Sequence, residues 1–155
     1  MSRIIPKRKF TFITLAVITA LYIGFIWWRS TLTAEDSTVE SMGVLHFLKG
    51  ICKSLGLGVE LTDHIVRKSA HFCEFALLGC LSAWTGYLYN HRILRNLTTV
   101  GFVSLAVAVV DEMIQLAPVG RSAEVADVVL DFSGAVAGVI FFIIIVSIVK
   151  LFKKS

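Results

Sequence analysis

Four runs of the chain, residues 10–28, 70–89, 97–117 and 126–149, are apolar for long enough to cross a bilayer, whose hydrocarbon core takes about 20 residues of helix. The stretches between them are polar or mixed. This pattern predicts an all-α, polytopic membrane bundle of four transmembrane helices in a single domain over 1–155, with little chain left for a soluble domain. The first run follows Arg3, Lys7, Arg8 and Lys9 and so resembles a signal peptide. Its apolar core exceeds the roughly 7 to 15 residues of a signal h-region, and Leu32 stands where a small residue should precede a cut after Ala34. A retained helix is expected, with Trp27 and Trp28 at the membrane interface.

The outer segment, 29–69, has a pattern of its own. Val44, Phe47, Leu48, Ile51 and Leu55 recur at helical spacing while Lys49 and Lys53 fall off that stripe, which predicts an amphipathic helix on the outer surface, ended by Gly56 and Gly58. The short basic stretch 90–96 makes the second and third spans antiparallel neighbours. In 118–122, Pro118 stops the third span, Gly120 permits positive φ and Ser122 is placed to cap the fourth. Gly134 and Gly138 form a small-xxx-small face, suited either to packing inside the bundle or to a homo-oligomer.

Composition agrees with the pattern: 17% of residues are charged, against about 25% in soluble domains. Basic residues flanking the spans set the orientation. With the N- and C-termini in the cytoplasm, Arg3, Lys7, Arg8, Lys9, Arg92, Arg95, Lys150, Lys153 and Lys154 lie inside, nine of the fifteen basic residues, and all eleven acidic residues fall in outer loops or outer halves of spans. A site built from those acids would then face the extracytoplasmic side of a cytoplasmic (inner) membrane. The net charge of +4 needs no nucleic acid, because basic segments beside anionic headgroups account for it. Three cysteines are an odd set, and Cys73 and Cys80, about 10 Å apart along one helix, are too distant to bridge.

Ionisable groups inside three of the spans carry the candidate chemistry. A charge at the centre of a membrane helix costs roughly 2.5 to 3.5 kcal/mol on insertion scales, so it usually faces other helices. His64, Arg67, Lys68, His71 and Glu74 follow three- and four-residue steps, Asp111 and Gln115 share a face with Glu112 nearby, and Glu124, Asp127 and Asp131 repeat the stepping. Glu74, Asp111 and Asp131 each lie roughly 6 to 9 Å below the outer end of their helix. Three helices thus bring a carboxylate to one depth, which predicts a shared polar site.

Within it, Glu74, Asp111, Glu112, Asp127 and Asp131 face the fixed cations Arg67, Lys68 and Arg121. Either some carboxyls keep a proton, His71 is protonated, or a cation joins. A divalent metal is the less favoured occupant, since the spacing matches no specific metal signature. Arg67, Lys68 and Arg121 can hold the phosphate of a lipid or a lipid-linked cell-wall precursor, with His71, Glu74, Asp111 and Glu112 as acid and base candidates and Gln115, Asp127 and Asp131 completing the binding set. Arg121 is expected to bridge carboxylates of the third and fourth spans. A non-catalytic, partner-stabilising membrane subunit is the alternative function.

Arg67, Lys68, His71, Phe72, Glu74 and Phe75, then Asp111, Glu112 and Gln115, then Gly120, Arg121 and Asp127, then Gly134 and Gly138 together resemble the VanZ family of small bacterial membrane proteins. The resemblance covers Arg67 to about Gly138. It implies a bundle of four or five membrane helices and, in the member that names the family, resistance to the glycopeptide antibiotic teicoplanin, which makes such an antibiotic a further candidate partner. The positions matching the motif are Lys68, His71, Glu74, Asp111, Glu112, Gln115, Arg121 and Asp127. Asp131 comes from depth and spacing alone.

Overall fold

The computed structural model describes residues 7–54, 62–90 and 93–153. They form five helices: α1 (Lys7–Ser30), α2 (Ala34–Ser54), α3 (Asp63–Asn90), α4 (Ile93–Gln115) and α5 (Val125–Phe152). No strand occurs among the described residues, so the protein is all-α. Three helices, rather than the expected four, are long and apolar enough to cross a membrane: α1, α4 and α5. The exception is α3, whose early turns carry Asp63, His64, Arg67, Lys68, His71 and Glu74 and whose later turns include Ser82, Thr85 and Asn90. It is also the central helix, packed against each of the other four.

Ile26 of α1, Phe75 and Leu78 of α3, Val107 and Ala108 of α4 and Ala135 of α5 make the apolar core. Among membrane helices apolar burial adds little, since lipid tails are as apolar as leucine; close backbone packing has to hold the bundle. The α3–α5 seam supplies it. A Cβ on Gly79, Gly134 or Gly138 would run into the backbone carbonyl of Ala135, Phe72 or Ala76. The Gly134 and Gly138 face is therefore occupied by α3 of the same chain. Beyond the seam, Val136, Ile140, Phe141 and Ile144 of α5 and Phe102 and Val109 of α4 point outward, as lipid-facing residues do.

The seam runs α3 and α5 parallel, while Arg8 of α1 donates to Leu88 O of α3 at 3.1 and 3.2 Å and so sets α1 antiparallel to both. Asn90 and Asn96 exchange amide hydrogen bonds at 2.9 Å where α3 turns into α4. The ends of α1 and α4 and the starts of α3 and α5 consequently meet at one end of the bundle. Trp27 Nε1 donates to Val107 O at 3.4 Å, so it packs on α4, while Trp28 is exposed.

The segment between α1 and α3 contains a longer helix than its stripe suggested, and a different face is buried. Thr33 caps α2, accepting from Asp36 N at 3.2 Å while its hydroxyl donates to Asp36 Oδ2 at 2.7 Å. Ser37, Ser41 and Leu45, one turn apart, are buried, whereas Val44 and Phe47 are exposed. The reason is polar: Ser41 hydrogen-bonds Asp63 at the start of α3. Leu48, Ile51, Lys53 and Leu55, with Gly56 and Gly58, lie outside the residues whose side chains are described, as do Arg3, Arg92 and Lys154.

Between α4 and α5, Gly120 adopts φ +80 and Arg121 N donates to Pro118 O at 3.4 Å. Ala34 N donates to Val119 O at 3.4 Å, tying this turn to the start of α2. Ser122 does not cap α5. Glu124 is its N-cap, with no side-chain cap bond of its own, because Glu112 reaches across from α4 to take the Glu124 amide.

Candidate functional site

At the polar end of the bundle, His71 of α3, Asp111 of α4 and Asp131 of α5 converge until one donor atom from each lies within 4.8 Å of the others. The glycine seam causes this. Gly134 sits one turn beyond Asp131, and Phe72, whose carbonyl it touches, follows His71. Asp111 is 0% and Asp131 1% exposed. Ser30 Oγ donates to Asp111 Oδ1 at 2.5 Å and Gln115 Nε2 to Asp111 Oδ2 at 2.9 Å, so that carboxylate is fixed from two sides. Neither oxygen of Asp131 accepts a hydrogen bond; His71 Nδ1 stands 3.8 Å from Asp131 Oδ1.

Around this centre the charges pair off. Lys68 bonds Asp127, joining α3 to α5. Arg29 of α1 meets Glu74 of α3 at 3.2 Å, and Arg67 lies 3.9 Å from Asp63 one turn earlier on α3. Glu112 Oε2 accepts from Glu124 N at 3.0 Å and so serves the first turn of α5.

The expected Arg121 bridge is absent: its guanidinium makes no hydrogen bond or ion pair with the described residues. Each carboxylate it was expected to join is taken by a nearer donor, Asp127 by Lys68, Glu112 by the Glu124 amide, and Asp111 by Ser30 and Gln115. Burial first and then the neighbouring Arg67 push the Arg121 pKa down. An arginine keeps its charge at neutral pH regardless.

Two cavities open here. One of about 170 Å³ is lined by His64, Arg67, Lys68, His71, Glu112, Gln115, Arg121, Asp127 and Asp131. The other, of about 280 Å³, is lined by Arg29, Ser37, Ser41, Cys73 and Glu74 and shares Arg67, His71 and Arg121 with the first. Of the ten residues picked from the sequence, eight line the first cavity and Asp111 lies beside it, while Glu74 turns to α1 and the second. Cys73 is an exposed free thiol.

Arg29, Ser30, Ser41 and Asp63 complete the network and were not anticipated. Arg29 and Ser30 end the first apolar run at the depth of Asp111, which is the signal that could have found them. A carboxylate on one helix needs donors from another.

The family model described as VanZ/LLP1 matches residues 12–146. The chain belongs to this family. The match begins in α1 and ends in α5, so VanZ/LLP1 membership extends to α2 and to the Arg29 and Ser30 end of α1, beyond the motifs in α3 to α5. It identifies the protein as a VanZ-like membrane protein. No curated protein and no solved structure matches the chain.

Proposed function

We propose that this protein binds, in the outer leaflet, the phosphate of a lipid-linked cell-envelope molecule. The carrying observation is Arg121, half-buried between two cavities with a guanidinium that forms no hydrogen bond or ion pair with a described residue. A guanidinium presents a planar fork of donors that matches two phosphate oxygens, and Arg67 beside it adds a second positive charge. His71 borders both cavities and is the group placed to move a proton if the bound headgroup is also modified.

In this reading α1, α3, α4 and α5 cross the bacterial inner membrane and α2 lies against α3 at the outer surface. Arg8, Lys9, Arg95, Lys150 and Lys153, at the opposite end from the site, then face the cytoplasm together with both termini. Membrane-impermeant thiol labelling checks this on a background lacking Cys52, Cys73 and Cys80: Ser122→Cys should label from outside and Arg95→Cys only after permeabilisation. The reverse pattern moves the site to the cytoplasm.

A contribution to glycopeptide resistance would act through the lipid-linked target. Neither cavity, at about 170 and 280 Å³, reaches the roughly 300 Å³ at which drug-sized sites begin. The deciding measurement is native mass spectrometry of the purified protein with a polyprenyl phosphate and with its uncharged alcohol. The phosphate should bind, the alcohol should not, and Arg121→Ala should lose the difference. Equal binding of both by the parent protein would leave the partner-stabilising subunit as the better reading.

A further inference from the structure

Asp111 and Asp131 are two carboxylates at 0% and 1% exposure, and among the described residues no lysine or arginine forms an ion pair with either, although the charge of Arg121 in the α4–α5 turn acts on Asp111 without a hydrogen bond. Lys68 is held by Asp127, Arg67 by Asp63 and Arg29 by Glu74. Asp131 is the sharper anomaly, because both its oxygens are buried and accept nothing while one of them faces the His71 ring. A buried carboxylate without donors is among the costlier states a protein can hold, so a group that this residue serves is expected within its reach.

We infer that His71, Asp111 and Asp131 form a binding site for a divalent cation of the zinc or manganese class. Their donor atoms lie within 4.8 Å of one another, whereas a tetrahedral site with bonds of about 2.1 Å spaces its donors by roughly 3.4 Å. An inward turn of each side chain by less than about 1 Å closes that gap, well within the reach of one χ angle. One imidazole with two carboxylates suits zinc, manganese or iron better than magnesium, which prefers oxygen donors and its own waters.

The surroundings fit as well. Ser30 and Gln115 each donate to one oxygen of the Asp111 carboxylate and so fix its orientation, the outer-shell support that metal-ligating side chains commonly have. His71 and Asp131 both line the 170 Å³ cavity, so the open coordination positions face the space that Arg67 and Arg121 border. Three protein ligands with an open position are the arrangement of metal sites that act on a substrate. The cation site stands on its own residues and does not require the phosphate reading.

The rival occupant of the same place is a proton shared between the carboxylates, and the metal alone separates the two. The purified protein is stripped with chelator, then titrated calorimetrically with Zn²⁺, Mn²⁺ and Mg²⁺ in turn, without lipid ligand, and the bound metal is counted by elemental analysis. One equivalent of Zn²⁺ or Mn²⁺ should bind, Mg²⁺ more weakly than either. Asp131→Asn and His71→Gln should each weaken binding by more than ~100-fold, and Ser30→Ala by about 10- to 100-fold, the usual cost of an outer-shell partner. Ser147→Ala, near the far end of α5, where the hydroxyl serves only Ile143 O of its own helix, should bind as the parent does. The parent titration needs no variant to fold: failure to bind either Zn²⁺ or Mn²⁺ overturns the site in favour of the proton, as does undiminished binding by Asp131→Asn.

Discussion

The rim and the centre of the polar site solve the same electrostatic problem in opposite ways. At the rim, Glu74, Asp127 and Asp63 each have a cation of their own in Arg29, Lys68 and Arg67. At the centre, Asp111 has only hydroxyl and amide donors, and Asp131 has none. The rim pairs are partly exposed, Lys68 and Asp127 by 31% and 27%, so water shares their charge and each contributes little stability. They tie α3 to α5 and to α1. The centre is buried, which makes each missing partner expensive. Charges settled among themselves are structure; charges left unsettled in a buried place are the better guide to function.

The harshest way to break the comparison is to part the helices that carry both regions. Gly138→Leu would drive a side chain into the Ala76 carbonyl, and a loss of about 3 kcal/mol or more is expected from overpacking against backbone. Thermal unfolding in detergent reads it; a melting temperature like the parent's would remove the seam as the element that sets the site. Next comes the centre. Ser30→Ala takes the donor from Asp111 Oδ1 and should cost about 1 to 3 kcal/mol, as loss of a buried hydrogen bond to a carboxylate does.

The rim should respond less. Lys68→Ala should cost about 1 kcal/mol, with Lys68→Arg restoring most of it, because the pair is partly solvated. If Lys68→Ala instead costs more than Ser30→Ala, the division into rim and centre is wrong. The smallest expected effect on stability belongs to Arg121→Ala, within about 0.5 kcal/mol, since its guanidinium forms no hydrogen bond or ion pair with a described side chain. A large drop in melting temperature there would identify Arg121 as a structural bridge after all.

Much of this was legible along the chain. The long apolar runs became α1, α4 and α5 with ends shifted by a few residues, and the equal depths of Asp111 and Asp131 survived into a real convergence with His71. On α2 the apolar stripe residues Val44 and Phe47 are exposed while Ser37 and Ser41 are buried, so the side that packs on the protein is not the apolar one. In lipid the outer surface of a helix is as apolar as its packed surface, so hydrophobic periodicity loses its power to tell inside from outside.

The amino-acid sequence by itself determined the all-α class, the apolar spans, the depth of each ionisable group and the VanZ motifs, because these depend on composition and on the fixed rise of a helix. Only the tertiary structure decided which charge meets which. Glu74 turned to Arg29, Asp127 took Lys68, Arg121 was left to the cavities and Asp131, facing His71, without a hydrogen bond among the described residues. Those outcomes depend on the rotation and offset of one helix against another. The glycine seam between α3 and α5 sets them through backbone contacts that no spacing along a single helix encodes.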